Sequence, residues 1–313
     1  MFKFLFKIVS SGQCLPVLIY HQVLPEVDPM RPFEINRAQF EKQMQWVSSY
    51  FNPVPLYEGI ERLKSQQLKP GSIAVTFDDG YENNYSVALP IMKKYGVHGT
   101  FFVASDFLNG GVMWNDAILE AVRGMQPGSF DLTHLGLSKY SIPESNARFE
   151  VALDILSSLK HLPFEERHKK VEIITANTKL PGDLMMTSDM VRGLDQQGME
   201  VGGHTKSHPI LTTLDSIGVE EQIKGNKEYL EGVIGHKLRC FAYPNGKPGQ
   251  DYDLSISSIV NKVGYELAVS TSAGVGRANT DMYQFPRYTP WRRSRVPFLM
   301  QMVRNYYSEP SFA

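Results

Sequence analysis

The sequence predicts an α/β fold, a distorted (β/α) barrel of about seven parallel strands, from three observations. Short apolar runs alternate with helical stretches along most of the chain, the pattern of a parallel sheet with helices outside it. Their number suits a barrel, complete or short of the full eight strands. The candidate chemical groups His21, Asp78, Asp79, His204 and Asn245 each follow one of these runs. Strand C-terminal ends are where a parallel barrel assembles its active site.

Taken in order, residues 16–23 (Pro-Val-Leu-Ile-Tyr-His-Gln-Val) read as the first strand, ending near His21. Pro25, Pro29 and Pro32 then break the chain into loop. Residues 36–51 carry helical spacing, with Phe40, Met44, Trp46 and Val47 recurring at three and four. Residues 55–67 repeat it with Leu56, Ile60 and Leu63. Residues 73–80, Ile-Ala-Val-Thr-Phe-Asp-Asp-Gly, are a strand that delivers two adjacent acids. A helix over 82–95 ends at Gly96, and a strand follows over 99–104. From about residue 110 to about 185 no clear strand is visible, which predicts a helical insertion inside a single domain spanning 1–313. The alternation resumes with a helix over 188–197, a strand over 199–203 and a helix over 215–233. Next come a strand over 238–243 ending in Pro-Asn-Gly, a helix over 254–263 and a strand over 266–271. A last short strand over 284–288 precedes a terminal helix. No internal repeat or low-complexity tract is present.

Composition narrows the function. The chain is 42% hydrophobic and 21% charged, as a soluble globular protein is. A net charge of -1 gives no electrostatic case for nucleic acid. Trp291-Arg292-Arg293-Ser294-Arg295 is locally basic, either a solvated face or a point of contact for an anionic substrate or membrane surface. Cys14 and Cys240 form neither a disulfide framework nor a zinc knuckle, and Cys240 reads as a buried small hydrophobe. Residues 1–9 start like a signal peptide. Lys7 interrupts the apolar stretch and no small-residue cleavage site follows, so a mature, amphipathic N-terminus is expected. No stretch approaches the roughly 20 apolar residues of a membrane span, and the expected location is cytoplasmic.

Two buried carboxylates side by side raise each other's pKa, and burial raises both further. A bound cation relieves this by taking one as a ligand and leaving the other as a base. The competing reading is a helix cap. His204 and His208, four apart, can present two imidazoles to one metal, and Gly202 and Gly203 let the backbone approach closely. Two histidines and one carboxylate leave coordination positions open for water and substrate, a catalytic arrangement.

Thr76-Phe77-Asp78-Asp79-Gly80, with His204-Thr205 and His208 further on, resembles the polysaccharide deacetylase family, carbohydrate esterase family four. The similarity covers roughly residues 15–288, with the insertion outside the common pattern. It implies a metal-dependent hydrolase that removes N-acetyl or O-acetyl groups from sugars such as N-acetylglucosamine. It implies Asp79, His204 and His208 as metal ligands and Asp78 as the catalytic base. The implied metal is zinc, though such a site also accepts cobalt, nickel or manganese. The implied partner is an N-acetylated polysaccharide or glycan precursor.

Two departures from the family pattern matter. Ala242 occupies the place of an arginine that normally orients the base, and Arg287 is the available replacement. Arg287 then either pairs with Asp78 or is a surface arginine. The usual C-terminal histidine that protonates the leaving group is missing, and Ile19-Tyr20-His21 supplies the same local pattern at the chain's start. First and last strands are neighbours in a closed barrel, so His21 keeps that place in space. This order resembles the exopolysaccharide deacetylases of the poly-N-acetylglucosamine type. The candidate catalytic set is therefore Asp78, His21 and Arg287. A backbone N–H near Asn245, in the Tyr243-Pro244-Asn245-Gly246 turn, is the candidate oxyanion donor, with a plain turn as the alternative. Tyr243, Pro244, Asn245 and Trp114 are the candidate substrate contacts, Trp114 as a stacking ring or a helix anchor. Two further functions stay open: a deformylase or O-acetyl esterase with the same centre, and an idle carbohydrate-binding member.

Overall fold

The computed structural model describes residues 12–144 and 147–313, so the expectation for residues 1–9 lies outside the described residues. Six strands form the main path of one parallel sheet: β1 (Val17–Tyr20), β2 (Ser72–Phe77), β3 (Gly99–Val103), β4 (Glu200–Gly203), β5 (Cys240–Ala242) and β6 (Leu267–Val269), and a short seventh, Asn52–Pro53, pairs with the start of β2. The spatial order of the six follows the chain, each strand pairing with the next. Residues 285–288 bring the two edges together. Phe285 bridges Val269 of β6 and Tyr288 bridges Leu18 of β1, both in parallel sense. The Phe285 N–H donates to Ala268 (2.9 Å), and Ile19 donates to the Tyr288 carbonyl (3.1 Å). The expected last strand is thus a pair of bridges rather than a regular strand. Pro286 sits between them and has no N–H to give a ladder.

Strand side chains alternate between two faces. Val17, Ala74, Phe102, Cys240, Ala242, Leu267, Val269 and Phe285 come from nearly every stave and join one buried cluster. A cluster fed from all around the sheet is the barrel interior. The alternate residues, among them Leu18, Val75, Phe77, Phe101, Phe241 and Ala268, pack outward against helices. The inward period on β2 runs Ala74, Thr76, and its next step is Asp78.

Helix α1 (Arg37–Tyr50) is capped by the Asn36 side chain and buries Phe40, Met44 and Val47. Helix α2 (Leu56–Lys64) lays Leu56, Ile60 and Leu63 into the interior cluster. The helix expected over 82–95 is present over 82–94, with a π-helical turn (Asn84–Ala88) inside it that leads into α3 (Leu89–Lys94). Pro90 lacks the N–H that would bond back four residues, so the regular ladder fails there. The wider turn places Asn83 and Asn84 against the end of β1. Asn84 donates to the His21 carbonyl (2.7 Å), and Asn83 accepts from the Val23 N–H (3.0 Å).

The insertion holds α4 (Trp114–Gly124), α5 (Arg148–Leu159) and α6 (Phe164–Thr175) around a core of its own. It is not wholly helical: Gly128–Asp131 pairs with Lys139–Ile142 in an antiparallel hairpin. Only Tyr140 and Ile142 of this hairpin are buried, too weak an apolar alternation to signal a strand. An ion network ties the insertion to the barrel. Arg31 meets Asp28, Asp116 and Glu120, and Arg123 meets Asp28 and Glu120. Burial pushes the Asp28 carboxyl up, but hydrogen bonds from Arg123, Met30 and Arg31 outweigh it and hold the group at about 2.

Beyond the insertion, α7 (Ser188–Gln196), α8 (Ser216–Ile234) and α9 (Leu254–Lys262) are capped by Thr187, Asp215 and Asp253. Helix α10 (Arg295–Tyr306) closes the chain. Among the described residues no helix is long and apolar enough to cross a membrane. Cys14 and Cys240 are both buried thiols that form no disulfide.

Candidate metal centre

Asp78 continues the inward face of β2, and Arg287 continues the inward face of Phe285 on the closing segment. The two meet in a bidentate pair, Nη1 to Oδ1 at 2.7 Å and Nη2 to Oδ2 at 2.8 Å. Arg287 is completely buried, so the surface-arginine reading is overturned. Its other donors are used: Nε bonds the Ser270 carbonyl (3.1 Å) and Nη1 also bonds Thr76 Oγ1 (3.0 Å). Its plane lies over the Phe102 ring. Burial pushes the Asp78 carboxyl up, but the guanidinium charge and its hydrogen bonds prevail and hold it below its ordinary value. Asp78 is therefore a fixed anion. Its N–H donates to the Tyr20 carbonyl (2.9 Å), which sets it beside the end of β1.

Asp79 turns the other way. Its φ of 75° and the 92° of Gly80 swing the second carboxylate out of strand geometry. Asp79 Oδ1 lies 3.3 Å from His204 Nε2 and 3.4 Å from His208 Nε2. One ligand atom from each of the three residues lies within 4.8 Å of the others. His204 Nδ1 sits 2.7 Å from the Ala242 carbonyl. That contact takes the ring's N–H and turns the Nε2 lone pair toward Asp79. Asp79 Oδ1 is buried with no hydrogen-bond partner. Two imidazole nitrogens and an orphaned carboxylate oxygen converging on one point are a donor set that fits a divalent cation.

The surrounding anions favour a positive charge at this point. Burial raises Asp79, but the close His204 ring and the electrostatic influence of His208 and His21 hold it well below the carboxylate range. Burial lowers His208 to about 4 and keeps its ring neutral, with a free lone pair. At His204 burial also opposes charge, but Asp78 and Asp79 outweigh it and raise the group.

Backbone strain is concentrated here. Six non-glycine residues have positive φ among the described residues, and Asp79, Thr205, His208 and Asn245 are four of them. Such conformations persist only where their surroundings over-determine them. Thr205 Oγ1 accepts from the His208 N–H (3.1 Å) and holds the turn between the two histidines. A residue not anticipated from the motifs, Asn226 of α8, accepts from the His204 N–H (3.1 Å) and donates to the Val103 carbonyl (2.9 Å). It pins β3 to the histidine turn. Its signal in the sequence is a polar residue on the buried stripe of Val219, Ile223 and Leu230. A Cβ on Gly203 would meet Tyr265 Oη at 2.0 Å and Asn226 Oδ1 at 2.7 Å, so close approach requires glycine there.

The other expected residues divide. His21 stands at the end of β1, close enough to Asp78, Asp79 and His208 to influence them electrostatically. Pro244 is buried, and the Asn245 carbonyl accepts from Thr271 Oγ1 (2.7 Å), tying the turn to the end of β6. Tyr243 does not present its ring to a ligand. It is fully buried, stacked 3.8 Å from Tyr252, with its hydroxyl donating to the Tyr283 carbonyl. The alternation that points Ala242 inward sends Tyr243 outward into the helix layer. Trp114 lies under the Arg167 guanidinium, 4.9 Å from ring centre to charge, inside the insertion.

The polysaccharide deacetylase family model matches residues 65–162 and 169–268, well over half of the chain. The protein YxkH of Bacillus subtilis is 19% identical over 275 residues, 87% of this chain and 70% of that protein. A poly-beta-1,6-N-acetyl-D-glucosamine N-deacetylase of Staphylococcus aureus is 31% identical over 75 residues, 24% of this chain and 26% of the relative. Among solved structures, the Streptococcus pyogenes deacetylase PplD in complex with acetate superposes with a TM-score of 0.62 at 18% identity, covering 95% of this chain and 99% of that one. IcaB from Ammonifex degensii gives 0.60 at 20% identity, covering 95% and 98%.

Proposed function

The chain belongs to the polysaccharide deacetylase family, carbohydrate hydrolases that act on carbon–nitrogen bonds, and from that premise we propose that it removes N-acetyl groups from N-acetylated sugars of a polysaccharide or glycan precursor. The observation that carries the reading is the buried Asp79 oxygen, orphaned between two imidazole nitrogens beside the paired anion Asp78.

Asp79, His204 and His208 would hold a divalent cation, zinc being the proposed one. When bound, such a cation acidifies water and polarises the acetyl carbonyl. Asp78, kept ionised by Arg287, accepts the proton of the attacking water. His21 protonates the sugar nitrogen as the carbon–nitrogen bond breaks, so acetate and a free amine leave. The Asn245 N–H is the proposed donor to the oxyanion. Arg287 touches only Asp78 and its neighbours, so it is a positioning residue.

The direct test is product analysis on β-1,6-linked N-acetylglucosamine oligomers, with and without chelator. Acetate should appear, cease on chelation and return with added zinc. Formate from N-formyl sugars without acetate release would assign the deformylase reading instead. Metal binding without any turnover would leave a carbohydrate-binding member. Replacing the proton donor, His21→Ala, should lower turnover by about 10²–10⁴-fold, the usual span for a general acid. Metal content should stay at the wild-type level. Full turnover in that variant would remove His21 from the mechanism.

A further inference from the structure

A cavity of about 290 Å³ opens between α4 and α6, lined by Phe107, Trp114, Phe164, Arg167 and Leu180, and it reaches Ser207 beside the metal-binding turn. Its walls are mostly apolar, yet Arg167 is only 6% exposed. The guanidinium lies against two rings, 4.9 Å from the Trp114 centroid and 5.8 Å from that of Phe164. One N–H donates to the Lys160 carbonyl at the end of α5 (3.2 Å). Among the described residues no carboxylate pairs with it. Glu172, on the same wall, pairs with His168 instead. Burial lowers the Arg167 pKa, and no acid offsets that.

Every other buried arginine that reaches into a packed region here has an anion: Arg31 has three carboxylates and Arg287 has Asp78. A buried charge without a counter-ion destabilises a fold. A methionine would fill the same volume at less cost. Aromatic faces on a guanidinium leave its edge free, and that edge matches the two oxygens of a carboxylate or phosphate.

We propose that this cavity binds an organic oxyanion, a carboxylate or phosphate monoester on an apolar or sugar body, with Arg167 as its anchor. Nothing in the proposal depends on the deacetylase chemistry.

Calorimetric titration of the full-length, metal-loaded protein tests it. The ligands are benzoate and phenyl phosphate against neutral benzamide, and N-acetylglucosamine 1-phosphate against N-acetylglucosamine. Saturable binding of the anions and not of their neutral counterparts is expected. Arg167→Met should weaken it at least ~10-fold, the loss of a charge-assisted hydrogen-bond pair. Repeating the titration on Asp79→Asn protein removes anion binding at the metal and should leave the Arg167 effect intact. A preference for phenyl phosphate and benzoate assigns a free small anion, and a preference for the sugar phosphate assigns a glycan-borne one. The melting temperature of Arg167→Met should equal or exceed that of wild type. Absence of saturation by any anion, or anion binding unchanged in Arg167→Met alongside a lowered melting temperature, overturns the proposal and leaves Arg167 as a helix cap. Acetate release is read separately, so failure here and failure of the deacetylase reading are distinguishable.

Discussion

Asp79→Asn is expected to yield a folded protein that no longer retains zinc and no longer releases acetate. The substitution keeps the shape of the side chain and removes one negative charge from the point where His204 and His208 converge. Asp79 Oδ1 has no hydrogen-bond partner to lose, but the histidines favour its ionised form, so the metal-free variant should still fold and melt modestly below metal-free wild type. The loss of activity should exceed the ~10–100-fold that changes in the surroundings of metal ligands cost, because a ligand itself is gone. Two measurements check this. Metal analysis of the purified variant should show little zinc. Added zinc should raise the melting temperature of wild type by binding linkage and leave the variant's unchanged. A variant that keeps its zinc and its turnover would show that Asp79 is not a ligand.

Arg287→Met should be the most damaging single change to the fold around the site. Arg287 and Asp78 are both buried and held by two short hydrogen bonds. Removing one partner leaves the other as an uncompensated interior charge, which typically costs about 3–5 kcal/mol. Unfolding in urea should report that loss at neutral pH, and acetate release should fall with it if Asp78 is the base, as proposed, because it is no longer held as an anion in position. The double variant Asp78→Asn with Arg287→Met separates the two effects. It should recover a large part of the lost stability, since no lone charge remains, while activity stays absent. Stability that is no better in the double variant than in Arg287→Met would mean that the pair's charge coupling is not what Arg287 supplies.

Much of this site was legible in local sequence because strand-end motifs carry their geometry with them. Asp78 and Asp79 follow an inward-outward strand, and one step of alternation together with the left-handed backbone at Asp79 and Gly80 sends their carboxylates in different directions. His204 and His208 are joined by a four-residue turn whose shape is set within the motif by Thr205. The order of strands was likewise readable, because alternating strands and helices leave few ways to build a parallel sheet. The hairpin over Gly128–Asp131 and Lys139–Ile142 was not readable, since half of its residues face solvent and its apolar period is two residues long. Nor was the outward turn of Tyr243, which an aromatic next to Pro-Asn-Gly does not announce.

By itself the sequence determined the fold class, the family and the two motifs that converge on one point, because each depends on residues close together in the chain. Tertiary structure alone decided what meets across long separations. It paired Arg287 with Asp78, put Asn226 behind His204, closed the barrel through residues 285–288 and left Arg167 buried without an anion. The physical reason is the same in each case. Whether a charge or an amide finds a partner depends on which side chains the closed sheet turns inward, and that is a property of the whole ring of strands.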